Sequence, residues 1–165
     1  MFRLNRIERY VALFTGVIAL VTALYNFLPD VRHFFSPLKE EAVITLLKEH
    51  ESFVSNGNLP GMISKYHPNF SMEVVHSNGY SENFDLPQLV KLQTDIRRVS
   101  KLKLNNSLVK ISMIDKNTAL VLITADQIYS VGFLKKSEKL SQSMVITNYW
   151  WNPKIIKVLS IAEII

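Results

Sequence analysis

Apolar residues follow three successive patterns along this chain of 165 residues. Residues 10–28, YVALFTGVIALVTALYNFL, form a run without a charged side chain, and its apolar residues face every side of a helix. After residue 37 the apolar positions recur at helical spacing, and in the last third they alternate with polar positions as in β-strands. The pattern predicts an apolar N-terminal helix, then amphipathic helices, then a β-rich segment.

The apolar run has the length of a membrane-spanning helix. At about 1.5 Å per residue it extends roughly 28 Å, which matches the hydrocarbon core of a bilayer. Arg3, Arg6 and Arg9 precede it, and basic residues favour the cytoplasmic side. We therefore expect an inner-membrane protein with an extracytoplasmic, periplasmic domain. The predicted segments are a cytoplasmic N-terminus, a transmembrane signal anchor, a juxtamembrane linker and a folded domain, at residues 1–9, 10–28, 29–37 and 38–165.

Two other interpretations of the run remain open. It resembles a secretory signal peptide if the small residues Val21-Thr22-Ala23 form a cleavage site, although apolar residues continue as far as Leu28. A buried core helix is the second alternative, but such helices usually carry their apolar residues on one stripe.

Cap and turn residues predict three helices in the region that follows. Ser36-Pro37 has the form of an N-cap with proline at the first helical position, and Asn56-Gly57 is a typical helix end. Asn58 offers a cap for a second, short helix that continues to Tyr66. The sequence Asp85-Leu86-Pro87-Gln88 has the pattern of a capping box and starts the third helix.

Alternation between turn residues predicts the strands. A first strand covers residues 70–75 and is followed by a loop, and the last third contains four long strands. Asn152-Pro153-Lys154 is expected to join the last two. The predicted fold class is α+β, with about three helices packed on one face of a curved antiparallel sheet.

Three stretches resemble the nuclear transport factor 2-like, or cystatin-like cone, superfamily. They are LLKEHESFVSNGNLPGMISKYHPNFSMEV, ISMIDKNTALVLITADQIYS and YWWNPKIIKVLSIAEI, which lie in residues 38–165. The resemblance implies a cone-shaped domain whose interior can hold an apolar ligand. It specifies fold better than function, because this superfamily includes isomerases, dehydratases, transport adaptors and assembly domains.

The residues suited to a cone pocket are few. Enzymes of the resembled superfamily place a carboxylate and a hydrogen-bond donor together in the cone. Tyr66, His67, Asp126 and Tyr129 are the candidate pocket residues here. Asp126 shares its strand parity with apolar residues such as Leu120, which predicts an inward side chain, and Tyr129 has the opposite parity.

The aromatic cluster Tyr149, Trp150 and Trp151 is the candidate interface. On a strand, adjacent residues face opposite sides of the sheet, so one tryptophan is expected inside and the other exposed as an apolar anchor. Burial of both faces by a helix or loop is the alternative.

Composition excludes several classes of site. The chain has no cysteine, which removes thiolate chemistry, and its four histidines are too scattered for a metal site. We therefore expect neither a metal nor a cofactor. The net charge is +5, but Lys135, Lys136 and Lys139 lie beside a predicted turn, where solvated lysines are usual, so nucleic acid is not an expected partner.

The expected function is that of a non-enzymatic, membrane-anchored interaction or assembly subunit. The bilayer through residues 10–28, other membrane proteins and a second copy of the chain are the expected partners. The layout resembles the inner-membrane, cone-fold assembly factors of type IV secretion machines. The alternative is an apolar small-molecule binding domain, or an enzyme of isomerase or dehydratase type that uses the cone pocket.

Overall fold

The computed structural model describes Ile18, Ala19, Thr22, residues 37–150 and residues 152–164. The predicted N-terminus, transmembrane segment and most of the linker therefore lie outside the described residues. Within the described residues, no helix is long and apolar enough to cross a membrane. Residues 37 to 165 form a compact unit of their own.

This unit contains three helices and six strands among its described residues. The helices are α1 (Glu40–Asn56), α2 (Leu59–Ile63) and α3 (Leu86–Val99). The strands are β1 (Tyr66–His76), β2 (Ser81–Asp85), β3 (Lys101–Asp115), β4 (Thr118–Val131), β5 (Leu134–Tyr149) and β6 (Asn152–Ile164).

The helix ends follow their cap residues except at the start of α1. Gly57 ends α1 with a left-handed φ of 74°, and the Asn58 side chain accepts a hydrogen bond from Gly61 N at the start of α2. Asp85 and Gln88 form the reciprocal capping box of α3. The predicted start of α1 at Ser36-Pro37 is wrong. Its first helical residue is Glu40, because the preceding segment is extended and Leu38 N donates to Lys116 O at 2.8 Å.

The first part of the sheet also differs from expectation. The short helix ends at Ile63 rather than Tyr66, and Tyr66 is already the first residue of β1. The segment predicted to be a loop contains β2, a five-residue edge strand that pairs with β1. Both differences arise because the backbone N–H and C=O groups of these segments find hydrogen-bond partners on a neighbouring strand, and the local sequence does not reveal that pairing.

The six strands form one sheet in the order β2-β1-β6-β5-β4-β3. Four neighbouring pairs are antiparallel, but β1 and β6 run parallel, which corrects the expectation of a purely antiparallel sheet. Alternation predicts a strand but says nothing about the direction of its partner.

The helices cover one face of this sheet, here called the covered face. Along β4 the buried residues are the odd-numbered ones, from Ala119 and Val121 to Ala125. Ala119, Val121 and Ile123 pack with Val43, Leu46 and other apolar residues of α1 in the main core. The even-numbered residues of β4 lie on the other side of the sheet, here called the open face, where Leu122 is 38% exposed.

Candidate ligand-binding pocket

A groove of about 360 Å³ lies between α3 and the covered face of the sheet. Leu92, Gln93 and Ile96 of α3 form one wall. Most of its other lining residues come from five strands: Met72, Val74, His76, Glu82, Phe84, Gln127, Tyr129, Lys136, Glu138, Leu140, Ser160 and Ala162. This volume falls in the range of small-molecule sites, at its lower end.

A smaller cavity of about 50 Å³ lies deeper in the core and shares Met72, Leu89, Gln93 and Gln127 with the groove. Because the two spaces have these lining residues in common, we describe them as one pocket with an open groove and a floor. The floor adds His50 from α1, Tyr66 from β1 and Gln142 from β5, beside apolar residues such as Met144 and Ile155.

His50 and Tyr66 form a buried hydrogen-bonded pair at the floor. His50 Nε2 lies 2.7 Å from the Tyr66 hydroxyl, and their rings meet edge to face. Burial, and secondarily the Lys65 charge, lowers the pKa of His50 to about 4. Burial also raises the pKa of Tyr66 well above its usual value. Both groups are therefore neutral near pH 7, and His50 Nδ1 is buried without a hydrogen-bond partner among the described residues.

Glutamines supply the other polar groups of the floor. Gln142, which is 8% exposed, donates from Nε2 to the Ser160 hydroxyl at 3.3 Å. Gln127 accepts a hydrogen bond of 2.6 Å from the Tyr129 hydroxyl. The amide oxygen of Gln93 is buried and has no partner among the described residues. An unpaired buried acceptor costs about 1–3 kcal/mol, so this oxygen is ready for a donor that enters the groove.

Charged side chains are confined to the rim of the groove. Lys136 and Glu138 form an ion pair of 2.7 Å, and Glu82 lies 3.6 Å from His76 Nε2. Burial, together with the Glu138 charge, raises the pKa of Tyr129 to about 12, so this hydroxyl also stays protonated.

These groups can form hydrogen bonds to a ligand, but they are poorly suited to proton transfer. General acid and base groups work best when their pKa lies near the operating pH. His50, Tyr66 and Tyr129 all lie two or more pKa units away from neutrality, according to the shifts described above. The floor therefore offers neutral hydrogen-bonding groups in an apolar setting.

The structure separates the four predicted pocket residues. Tyr66 lines the floor and Tyr129 lines the groove. Asp126 lies on the open face between Asn105 and Lys139, so its predicted inward orientation is wrong. His67 packs its ring against Tyr149 at a centroid distance of 4.4 Å and is absent from the lining of both spaces.

In the predicted aromatic interface, Tyr149 lies on a strand but Trp150 lies in a turn. Tyr149 ends β5 and pairs with Asn152, the first residue of β6, so the turn lies before the expected Asn152-Pro153-Lys154. Trp150 stands in this turn, is 63% exposed and has a left-handed φ of 45°. A bulky residue rarely adopts that conformation, which glycine or asparagine adopts readily. Trp151 lies outside the described residues.

Sequence reasoning missed most of the polar floor. Gln127 and Gln142 interrupt runs of apolar residues that share their strand parity, which is a signal of a polar site, but parity alone does not say which side of the sheet is inward. A lone histidine close to the apolar face of a helix, such as His50, ordinarily indicates no more than a packing residue. Gln93 gave no signal, because a glutamine on an amphipathic helix is ordinarily a surface residue. Among the described residues, no group of three acidic or histidine side chains is placed to hold a metal ion.

The sequence matches no family model and no curated protein. Solved structures of similar fold exist, and three of them show the extent of the likeness. An NTF-2 like protein of unknown function from Shewanella oneidensis MR-1 has a TM-score of 0.59 at 16% identity, over 73% of this chain and 97% of that one. A putative scytalone dehydratase from Novosphingobium aromaticivorans DSM 12444 has a TM-score of 0.61 at 10% identity, over 75% and 83%.

A third similar structure is the beta subunit of the benzoate 1,2-dioxygenase from Burkholderia mallei ATCC 23344. Its TM-score is 0.66 at 9% identity, and the match covers 78% of this chain and 93% of that one. At such identities the likeness concerns the fold alone. Residues 37–165 therefore have the fold of NTF2-like, cystatin-like cone proteins, as the sequence resemblance predicted.

Proposed function

We propose that this domain binds an uncharged, mainly apolar small molecule in the pocket between α3 and the covered face. The observation that carries the proposal is the buried amide oxygen of Gln93, which has no hydrogen-bond partner in the described part of the chain and belongs to a residue that lines both the groove and the floor. Apolar side chains such as Leu92 and Phe84 would surround the ligand body. One ligand hydroxyl or amine would donate to Gln93.

The charges around the pocket favour a neutral ligand. At the rim Lys136 is paired with Glu138, and Glu82 lies 3.6 Å from His76 Nε2, so the residues that line the groove offer no unpaired lysine or arginine to an anionic ligand. The floor groups with resolved shifts, His50 and Tyr66, are neutral near pH 7, and a buried charge on the ligand would find no ionic partner there. Binding without catalysis is therefore the activity that this arrangement supports best.

Filling the groove is expected to abolish binding. In Leu92→Trp an indole replaces a groove-lining side chain of α3, and Leu122→Trp is the matched control because both leucines are 38% exposed and Leu122 lies on the open face. The probe is 1-aminoanthracene, a neutral apolar fluorophore, titrated into the full-length protein. We expect Leu92→Trp to weaken probe binding at least about tenfold, which is 1.4 kcal/mol, and Leu122→Trp to leave it unchanged.

Equal binding by the two tryptophan variants, or no saturable binding by the parent protein, would contradict the proposal. Mass spectrometry of the protein purified under native conditions from its own cells adds a second test. A copurifying neutral molecule that is lost in Leu92→Trp and kept in Leu122→Trp would identify the ligand.

A second candidate function is favoured by the open face. We propose a membrane-anchored assembly subunit, with residues 10–28 as the anchor and a layout like that of type IV secretion assembly factors. Leu122, Leu159 and Ile161 are 37–46% exposed on strands β4 and β6. Val145, on the strand between them, is half-buried on the same face. A second copy of the chain, which presents the same apolar face, is the partner of matching chemistry.

The open face is expected to hold an oligomer together. Full-length protein extracted in mild detergent should have a mass above that of one chain, and Leu159→Lys should reduce it to one chain. Val109→Lys is the control, because Val109 is 63% exposed but lies on the edge strand β3. A single-chain mass for the parent, or equal effects of both substitutions, would refute self-association. If the parent forms a defined complex with a different membrane protein and Leu159→Lys loses it, the partner is that protein and not a second copy of the chain.

A further inference from the structure

The hairpin between β4 and β5 presents an apolar tip to solvent. Val131 pairs with Leu134, so Gly132 and Phe133 form a two-residue loop, and Gly132 has a left-handed φ of 58°. Phe133 is fully exposed, Leu134 is 77% exposed and Val131 is 53% exposed. Single exposed apolar residues are ordinary, but three together at a turn are not, because turns favour polar residues.

Lysines surround the base of this tip. Ser130 pairs with Lys101 on β3 and with Lys135 on β5, so two exposed lysines flank β4, one on each neighbouring strand, close to the apolar residues. Lys103 lies two residues further along β3. Among the described residues, neither Lys101 nor Lys135 takes part in an ion pair. The nearby Lys136 is paired with Glu138, and Lys139 stands opposite Asp126.

The tip lies far from the point where the chain enters the folded unit. Leu38 is hydrogen-bonded to Lys116, in the turn before β4, whereas the tip follows the other end of β4. The fourteen residues of β4 are joined by thirteen steps of about 3.3 Å, which separates the two ends of the strand by roughly 43 Å. Residues 131–134 line neither the groove nor the floor of the pocket proposed above.

We propose that the β4–β5 tip inserts into the interface of a membrane that contains anionic lipids. A phenylalanine at the apex suits the boundary between headgroups and acyl chains, where amphipathic surfaces bury their apolar side chains. Lysines at the base would lie at the level of the headgroups and be attracted by the negative surface potential. Protein and nucleic-acid partners fit less well, because the tip is too small for a stable protein interface and offers one ring rather than a platform of stacked bases.

The absence of cysteine allows a local test in the full-length protein. A nitrobenzoxadiazole label attached at Phe133→Cys reports on the surroundings of the apex. Its signal does not depend on how the rest of the chain associates with the vesicle. The control label is at Ile114→Cys, 61% exposed near the opposite end of the sheet. The vesicles contain phosphatidylcholine alone, or phosphatidylcholine with phosphatidylserine.

With phosphatidylserine we expect a blue shift of the apex label and quenching by lipids with brominated acyl chains, and neither effect for the control label. Without phosphatidylserine, both the blue shift and the quenching should be small. The double charge reversal Lys101→Glu and Lys135→Glu should weaken the response at least about tenfold, and high salt should do the same.

Five results would overturn the proposal. The apex label remains unchanged with anionic vesicles, or it responds equally to both compositions. The charge reversal has no effect, or the label shifts with protein concentration or with a DNA duplex as strongly as with vesicles. These last two responses would assign the tip to self-association or to nucleic acid. None of the results depends on whether the pocket binds a ligand.

Discussion

The protein is expected to lose about 3 kcal/mol of stability between pH 6.5 and pH 4 through His50 alone. In the unfolded chain this imidazole binds a proton near pH 6.5, whereas burial in the folded protein lowers its pKa to about 4. Between these values the unfolded state binds more protons than the folded state, so the free energy of unfolding falls as the pH falls. The difference of about 2.5 pKa units corresponds to about 3 kcal/mol, and the loss levels off below pH 4.

His50→Gln is the matched comparison, because an amide cannot titrate in this range and still offers hydrogen bonds to Tyr66. At pH 7 we expect the variant to be less stable than the parent by about 1 kcal/mol. The measurement is urea unfolding of both proteins from pH 7.5 to pH 4.5, followed by tryptophan fluorescence. All other groups titrate in both proteins, so the two stability curves should converge and then cross on acidification. Curves that remain parallel would show that His50 is accessible to protons in the folded state.

Truncation of Ile155 is expected to have an effect of similar or greater size. Ile155 is completely buried in the main core, and its backbone N–H donates to Lys65 O at 2.9 Å. Ile155→Ala should lower the free energy of unfolding by about 2–5 kcal/mol, because apolar contacts are lost and a cavity remains. Ile161→Ala on the same strand is the control. Ile161 is 46% exposed on the open face, so we expect a loss below about 1 kcal/mol.

The same variant probes the floor of the pocket. Ile155 lines the small cavity beside His50 and Tyr66, so its truncation joins new apolar space to that cavity. An enlarged apolar cavity binds benzene, and benzene should therefore raise the melting temperature of Ile155→Ala but leave that of Ile161→Ala unchanged. Equal destabilisation by the two truncations would mean that the assignment of the two faces of β6 is wrong.

Local sequence signals predicted element boundaries wherever one short-range interaction decides them. Gly57 ends α1 because it accepts a left-handed backbone, and Asp85 starts α3 because its side chain bonds Gln88 N at 2.8 Å. Ser36-Pro37 failed for the opposite reason. The segment that contains Leu38 pairs with the distant Lys116, and this long-range bond overrides the local preference for a helix.

The two faces of β4 show why alternation alone misplaced Asp126. The larger apolar residues, Leu120 and Leu122, share its parity and suggest a core face. The structure buries the other set instead, which includes the small Ala119 and Ala125, because helices pack closely there. Period-two alternation separates two sets of residues, but only the position of the helices decides which set is inside.

The α+β class, the caps of the helices and most of the strands could be predicted from the sequence, since they depend on residues within a few positions of one another. The parallel pairing of β1 with β6 and the composition of the pocket could not, because they depend on long-range packing. His50, Gln93 and Gln142 come from α1, α3 and β5, and no spacing in the chain relates them. They meet because α1 and α3 pack over one face of the sheet, and that packing follows from burial summed over the whole domain.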